Sequence, residues 1–166
     1  MAYKDGTDLI LSLNGVAMGY ASSCKVSDSA ETGERVTKEK GSGKFKETYV
    51  KSVSEQITCD GFEATDSRTT YSYLKDLMLT GTPVTLTYCH VDETQGYQGT
   101  FIITQLDLDG PAGDDEKYSL TFANSGAVKK ATVTTQTREG VTVGSTADIT
   151  APAAAPGKTP AAPQGS

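Results

Sequence analysis

Tryptophan is absent from this 166-residue chain, and histidine occurs once, at His90. A metal centre or a catalytic triad would have to be built on that one imidazole. It stands in an alternating segment two residues from Tyr88 and reads as a strand-end histidine at the margin of a core. No apolar run approaches the roughly 20 residues needed to cross a membrane as a helix. The start, MAYKDGTDLIL, lacks a basic cluster followed by an apolar stretch, so no signal peptide is expected. The chain is expected to stay in the cytoplasm where it is made, or to leave by a signal-independent route.

Cysteine is scarce as well. Cys24, Cys59 and Cys89 are odd in number and widely spaced, with no C-x-x-C. They are expected to be reduced, half-buried core thiols, with a Cys24–Cys59 bridge conceivable if their strands are neighbours. Positive charge is also short: 15 Lys+Arg face 21 Asp+Glu, for a net charge of −6. A tight grip on a nucleic-acid backbone needs cations gathered on one face, and this balance argues against it overall.

What the chain does have is glycine, 17 residues of it, with 36% hydrophobic residues. That is a lean core with many turns, which favours strands and long loops over a helix bundle. The folding body is expected over residues 1–130, enough to stand without disulfides. From about Lys129 the chain turns Thr/Val-rich and then ends in APAAAPGKTPAAPQGS. Residues 131–166 are therefore expected to be an extended, disordered tail, although the Thr/Val part has the composition of an extra strand or a docking arm.

Within the body, DLILSL (8–13) reads as a strand and Asn14-Gly15 as a two-residue hairpin turn, with residues 16–26 returning. Residues 27–52 interleave charges of both signs and bury no stripe, which predicts a long hairpin or arm with its tip near Lys38–Lys44. In 53–62, Val53, Ile57 and Cys59 alternate against Ser54, Gln56, Thr58 and Asp60, as in a half-buried strand. The period then becomes helical over 66–81, with Tyr71, Leu74, Leu77 and Met78 on one face. Asp66 or Ser67 is the expected cap and Gly81 the stop. Strands are expected over 83–91, 97–108 and 117–123. The second is apolar on both sides at Phe101-Ile102-Ile103 and is therefore central; the third has Tyr118, Leu120 and Phe122 inward.

Motifs that would carry chemistry fall short. GSGK at 41–44 suggests a phosphate loop, but Lys38 stands where its first glycine belongs and Phe45 where a Ser/Thr should follow. DLDGPAGDDE (107–116) has glycine fourth, whereas a calcium loop of the EF-hand type needs it sixth. Asp60, Glu63 and Asp66 show no inward-facing pair, and no G-x-S-x-G occurs. No catalytic residue, cofactor site or metal site is assigned.

The order of elements nevertheless resembles a known family. A hairpin ends in CKVSDSAET and leads to a Lys-x-x-Gly-x-x-Lys-Phe-Lys-Glu step. An S-x-x-x-I-T-C-D-G-F strand follows, then a short helix ending L-x-x-L-M-L-T-G-T-P-V, and strands around YQGTFIITQL and YSLTFANSGAV. This set, over roughly residues 10–130, resembles the major tail protein, the tail tube subunit, of long-tailed bacteriophages.

The resemblance implies a mainly β, α+β fold: a β-sandwich or barrel-like body with one short flanking helix and a long protruding loop. It implies a structural virion protein without enzymatic activity, whose copies form hexameric rings stacked into a hollow tube for DNA passage. It also implies tape measure and terminator proteins as partners, residence in the virion tail, and assembly in the bacterial host cytoplasm. The loop at 27–52 would contact a neighbouring copy, with Glu34, Arg35, Lys38, Lys40, Lys44, Phe45, Lys46 and Tyr49 at the contact. An acidic chain suits a lumen that lets DNA slide. The alternatives are the inner tube of a contractile injection or type VI-like secretion system, and a monomeric β-sandwich binding or adhesion module.

Overall fold

The computed structural model describes residues 2–18, 20–36, 45–67, 69–91, 93–137 and 140–147. Strand β1 (Leu9–Leu13) turns at Asn14-Gly15 into the short β2 (Val16–Ala17). Both turn residues take positive φ, 51° and 86°, as the expected two-residue hairpin requires. Asn14 also ties the turn to the neighbouring strand, since its side-chain oxygen accepts from the Thr85 amide at 3.0 Å.

Residues 27–35 and 47–52 form the two strands of the expected long hairpin arm. β3 (Ala21–Arg35) and β4 (Glu47–Phe62) form one long antiparallel ladder, from Ala21↔Gly61 to Arg35↔Glu47, with a bulge between Glu31 and Thr32. Only the root of β4, Gln56 to Phe62, has a second neighbour in β7 (Lys117–Asn124). Beyond it the ladder stands as a two-stranded ribbon about 30 Å long at ~3.3 Å per residue.

Helix α1 (Tyr71–Thr80) starts later than its apolar spacing suggested. Thr70, not Asp66 or Ser67, caps it, accepting from the Tyr73 amide. The two expected caps are engaged elsewhere: the Tyr20 hydroxyl donates to Asp66 and Ser67 bonds with Thr69. The Glu63 carboxylate takes the Tyr71 amide, at 3.0 and 3.2 Å, and so satisfies another of the orphan donors of the first turn. Gly81 stops the helix in the left-handed conformation, as expected.

The rest is an antiparallel sheet in the order β3-β4-β7-β6-β5-β1-β2-β9-β8, with β5 Val84–His90, β6 Gln95–Asp109, β8 Lys129–Thr137 and β9 Gly140–Ala147. β8 also pairs with the start of β6, at Gln95–Gln98. The strands β6-β5-β1-β2-β9-β8 thus return to β6 and close a small barrel, from which β7, β4 and β3 extend as an open flange. The body is a barrel-like β fold with one short helix, as the sequence implied.

The expected boundary at residue 130 falls inside β8. The Thr/Val stretch is the extra-strand option, because β8 and β9 supply the pairing that closes the barrel. Residues 148–166 lie outside the described residues.

Two cores result. The main one joins Leu11, Leu13, Ile57, Leu74, Leu86, Phe101, Leu120 and Phe122, with Tyr118 at its edge. A smaller one joins Cys89 and Val133, with Ile10 packed against it. β5 therefore buries both of its sides: Val84 and Leu86 face the main core, and Cys89 the barrel's second cluster. Tyr88 packs against the main core on the same side as Val84 and Leu86. β6 is central, as expected, but Phe101 and Ile103 are buried while Ile102 faces outward.

Cys24 and Cys59 are cross-strand partners with Cα atoms 4.4 Å apart and are joined by a disulfide. This corrects the expectation of reduced thiols for that pair: the ladder register places the two directly opposite, within bridging range. Cys89 is buried outside the bridge.

Candidate functional site

The ribbon is the feature no packing argument inside the monomer explains. Its outer strand β3 pairs only with β4 among the described residues, so 15 residues of strand edge face away from the sheet. The ribbon is held by its backbone ladder and by ion pairs across it. Arg35 makes two bonds to Glu47, at 2.8 and 3.1 Å. Lys46 meets Glu34 at 2.8 Å and Lys51 meets Glu31 at 3.8 Å. The guanidinium of Arg35 holds the Glu47 carboxyl below its usual range, and it also lies 5.7 Å from the centre of the Tyr49 ring. That ring lies across Gly33, where an added Cβ would approach its Cζ to 2.7 Å.

Of the eight expected contact residues, the structure brings Glu34, Arg35, Phe45, Lys46 and Tyr49 together at the far end of the ribbon. Lys38, Lys40 and Lys44 lie outside the described residues. Glu34, Arg35 and Lys46 are satisfied by partners on their own ribbon. Beside these pairs the arm also exposes a few apolar groups: Phe45 is 86% exposed, and Val36, Val50 and Val53 are also well exposed. Phe45 was among the expected contact residues; Val36, Val50 and Val53 were not.

At the other end, where the ribbon leaves the body, lies a cleft of about 820 Å³. It follows from the strand period. Val26, Asp28 and Ala30 share one face of β3 with their partners Ile57, Glu55 and Val53 on β4. At Ile57 this face is core; two residues further out the core ends and the same face carries Asp28 and Glu55. Tyr88 and Tyr97, stacked with ring centres 5.5 Å apart, line the opposite side together with Val128. Asn124 joins the two sides, because its Oδ1 accepts from the Glu55 amide at 3.0 Å.

Glu55 was missed from sequence. It sits on the inward parity of a strand whose other inward residues are apolar, and that mismatch was the available signal. Its side chain is buried, with 7% of the residue exposed, and its Oε1 has no hydrogen-bond partner. Burial pushes its carboxyl up to about 7, with Asp28 adding to the rise and the Tyr88 hydroxyl opposing it. Tyr88 in turn is pushed well above its usual range by burial and by the charge of Glu55.

The acids that drew attention near the helix are structural. Asp60 accepts from Ser119, Glu63 from the first turn of the helix and Asp66 from Tyr20. His90 lies beside Glu93, with Nδ1 3.4 Å from its carboxylate. No group of three or more metal-ligating side chains occurs among the described residues.

A barrel with an open flange, a projecting ribbon with exposed apolar groups and an acid-lined cleft at its root are the features that a structural β subunit would carry. A family profile described as phage tail tube protein matches residues 6–130, three quarters of the chain, and the chain belongs to that family. It is a structural tail tube subunit of the virion.

Solved structures agree on the fold. The virion of a native gene transfer agent particle contains a chain that is 23% identical, with TM-score 0.62, over 76% of this chain and 97% of that one. A gene transfer agent tail refined with C6 symmetry gives 22% and 0.62, over 76% and 97%. The SPP1 tail tube gives 10% and 0.58, over 76% and 77%. Comparison with curated proteins finds no match. The family favours a tail tube over an injection-machine tube or a monomeric binding module.

Proposed function

We propose that copies of this chain join through the β3–β4 arm into hexameric rings, and that the rings stack into the hollow tube through which phage DNA leaves. The observation that carries this is the ribbon itself. A two-stranded ribbon of about 30 Å that buries no apolar side chain of its own is marginal in water unless a partner covers it. Its apolar end groups and its open strand edge are surfaces another copy can use. Ring closure by a head-to-tail contact, in which the arm meets a different surface on its neighbour, fits these features. The sixfold symmetry of the gene transfer agent tail supports six copies per ring.

On this reading Glu34, Arg35, Lys38, Lys40, Lys44, Phe45, Lys46 and Tyr49 stand at the contact between copies. The net charge of −6 suits a lumen that does not hold DNA. Tape measure and terminator proteins are the further partners, and assembly takes place in the host cytoplasm.

Negative-stain microscopy of the purified protein at high concentration tests this: rings or long hollow tubes are expected. Deleting residues 37–44 should leave a folded body, seen by circular dichroism, that forms no tubes. A chain that stays a compact monomer at every concentration and salt refutes the reading.

A further inference from the structure

We infer that the cleft at the root of the arm is the acceptor for the arm tip of a second copy: its apolar walls take Phe45, and the Asp28–Glu55 pair takes a lysine from residues 36–46. This rests on the tube reading and specifies the contact within it.

Three observations select this occupant. The first is the state of Glu55. Its residue is more than nine-tenths buried, its Oε1 has no partner, and it lines the cleft beside a second carboxylate. A buried acceptor left open in this way is costly and calls for a donor. The titratable groups that bear on it are Asp28 from β3 and Tyr88 from β5, with Tyr97 from β6 behind Tyr88, and none is a cation. A positively charged donor would complement both the open Oε1 and the adjacent Asp28 carboxylate.

The second is the composition of the arm tip. Residues 36–46, VTKEKGSGKFK, hold four lysines against one glutamate in a chain of net charge −6, and Phe45 stands almost wholly exposed beside them. An aromatic next to a cation matches a cleft with aromatic and valine walls and an acidic floor.

The third is geometry. Asp28 and Glu55 are directly opposite in the ladder, and so are Arg35 and Glu47. The paired ladder between them spans about 25 Å at ~3.3 Å per residue. A continuous ladder cannot fold its own tip back onto its own root, so the tip that fills this cleft comes from another copy.

Docking a lysine beside Glu55 favours its ionised form. In the uncomplexed chain Glu55 holds its proton up to about pH 7, so docking releases a proton below that pH. Assembly should therefore strengthen by roughly tenfold between pH 6 and pH 8, as the ionised fraction of a group titrating near 7 rises.

The test uses the full chain with a benzoylphenylalanine photo-probe at position 45. It is assembled from equal parts 14N- and 15N-labelled protein, irradiated and mapped by mass spectrometry. The expected products are mixed-isotope cross-links to peptides carrying Val53–Glu55, Tyr97 or Val128. A probe at Val53 reads the same contact from the other side, should the probe at 45 block assembly; its expected cross-links fall in 36–46. Tubes with cross-links elsewhere overturn the cleft and leave the tube reading standing. A wild-type chain that forms no tubes removes both. Glu55→Gln should abolish the pH dependence of the critical assembly concentration, and a Glu55→Gln chain that keeps the tenfold response also overturns the proposal.

Discussion

Replacing Glu55 by glutamine should make the isolated subunit more stable, and by an amount that depends on pH. The folded chain holds the Glu55 proton up to about pH 7, against an ordinary value of 4.5. Between those limits the folded state binds the proton and the unfolded state releases it. The stability tied to this group is therefore full below about pH 4.5 and is lost as pH rises through about 7. At about 1.4 kcal/mol per pH unit across that window, ionisation costs approximately 3 kcal/mol, and water in the open cleft trims this to about 2 kcal/mol. Glutamine keeps the shape and has no proton to lose. Urea unfolding of dilute protein, with the monomer verified by ultracentrifugation, measures both chains from pH 5 to pH 8.5. The gap between Glu55→Gln and wild type should widen by about 2 kcal/mol over that range. Parallel curves would refute the reasoning, because they would mean that Glu55 titrates alike in the folded and unfolded chains.

Other perturbations test the frame that holds the arm. Leu74→Ala empties the position where the helix enters the main core and should cost about 2–5 kcal/mol, read as a lower urea midpoint. Gly61→Ala sets a Cβ 2.5 Å from the buried Tyr118 hydroxyl and should cost about 1–3 kcal/mol; adding Tyr118→Phe should recover part of it. Reducing the Cys24–Cys59 bridge, which closes 35 residues including the whole outer ribbon, should cost about 3–4 kcal/mol on the chain-entropy account. An unchanged midpoint with and without reductant would show that the two thiols are not bridged in solution.

The sequence revealed those parts of the fold where one side of an element is buried. Ile57 and Cys59, Tyr118, Leu120 and Phe122, and the Leu74 face of the helix all announce a core by their period, and Asn14-Gly15 and Gly81 announce turns that need positive φ. The outer ribbon gave no such signal. Both of its faces are polar, and its order comes from backbone pairing and from Arg35–Glu47 and Lys46–Glu34 across it, which no alternation of hydrophobicity records. The barrel closure by β8 was obscured in the same way, since a Thr/Val strand reads equally as a loose arm until its partner at Gln95–Gln98 is known. The helix start was misplaced because Asp66 and Ser67, good caps by type, are engaged by Tyr20 and Thr69 instead. Within the candidate site, the charged cluster at the arm's end was legible and the cleft was not. The cleft exists only where β3, β4, β5, β6 and the turn after β7 meet.

The division of labour along the arm follows from what a tube subunit must avoid as well as what it must do. A long edge strand with apolar ends is a template for uncontrolled pairing. On this arm Arg35 and Glu47, Lys46 and Glu34, and Lys51 and Glu31 pair across the ribbon, so much of its charge is balanced in place. On the proposed contact, attraction between copies falls chiefly to a few exposed side chains, Phe45 foremost, and to a receiving cleft whose acid is pushed up to about 7 by burial. On this reading neither half is strongly attractive alone: Phe45 is a single ring, and the cleft holds a carboxyl that resists ionising. Brought together, the lysine removes the cost of ionising Glu55 and the ring of Phe45 displaces water from the tyrosine wall, so the contact gains most when both are made at once. Such coupling lets free subunits stay apart in dilute solution yet lock when an existing ring presents several clefts together. It also ties the two measurements on Glu55: the substitution that stabilises the lone subunit at high pH is the one that should weaken its assembly.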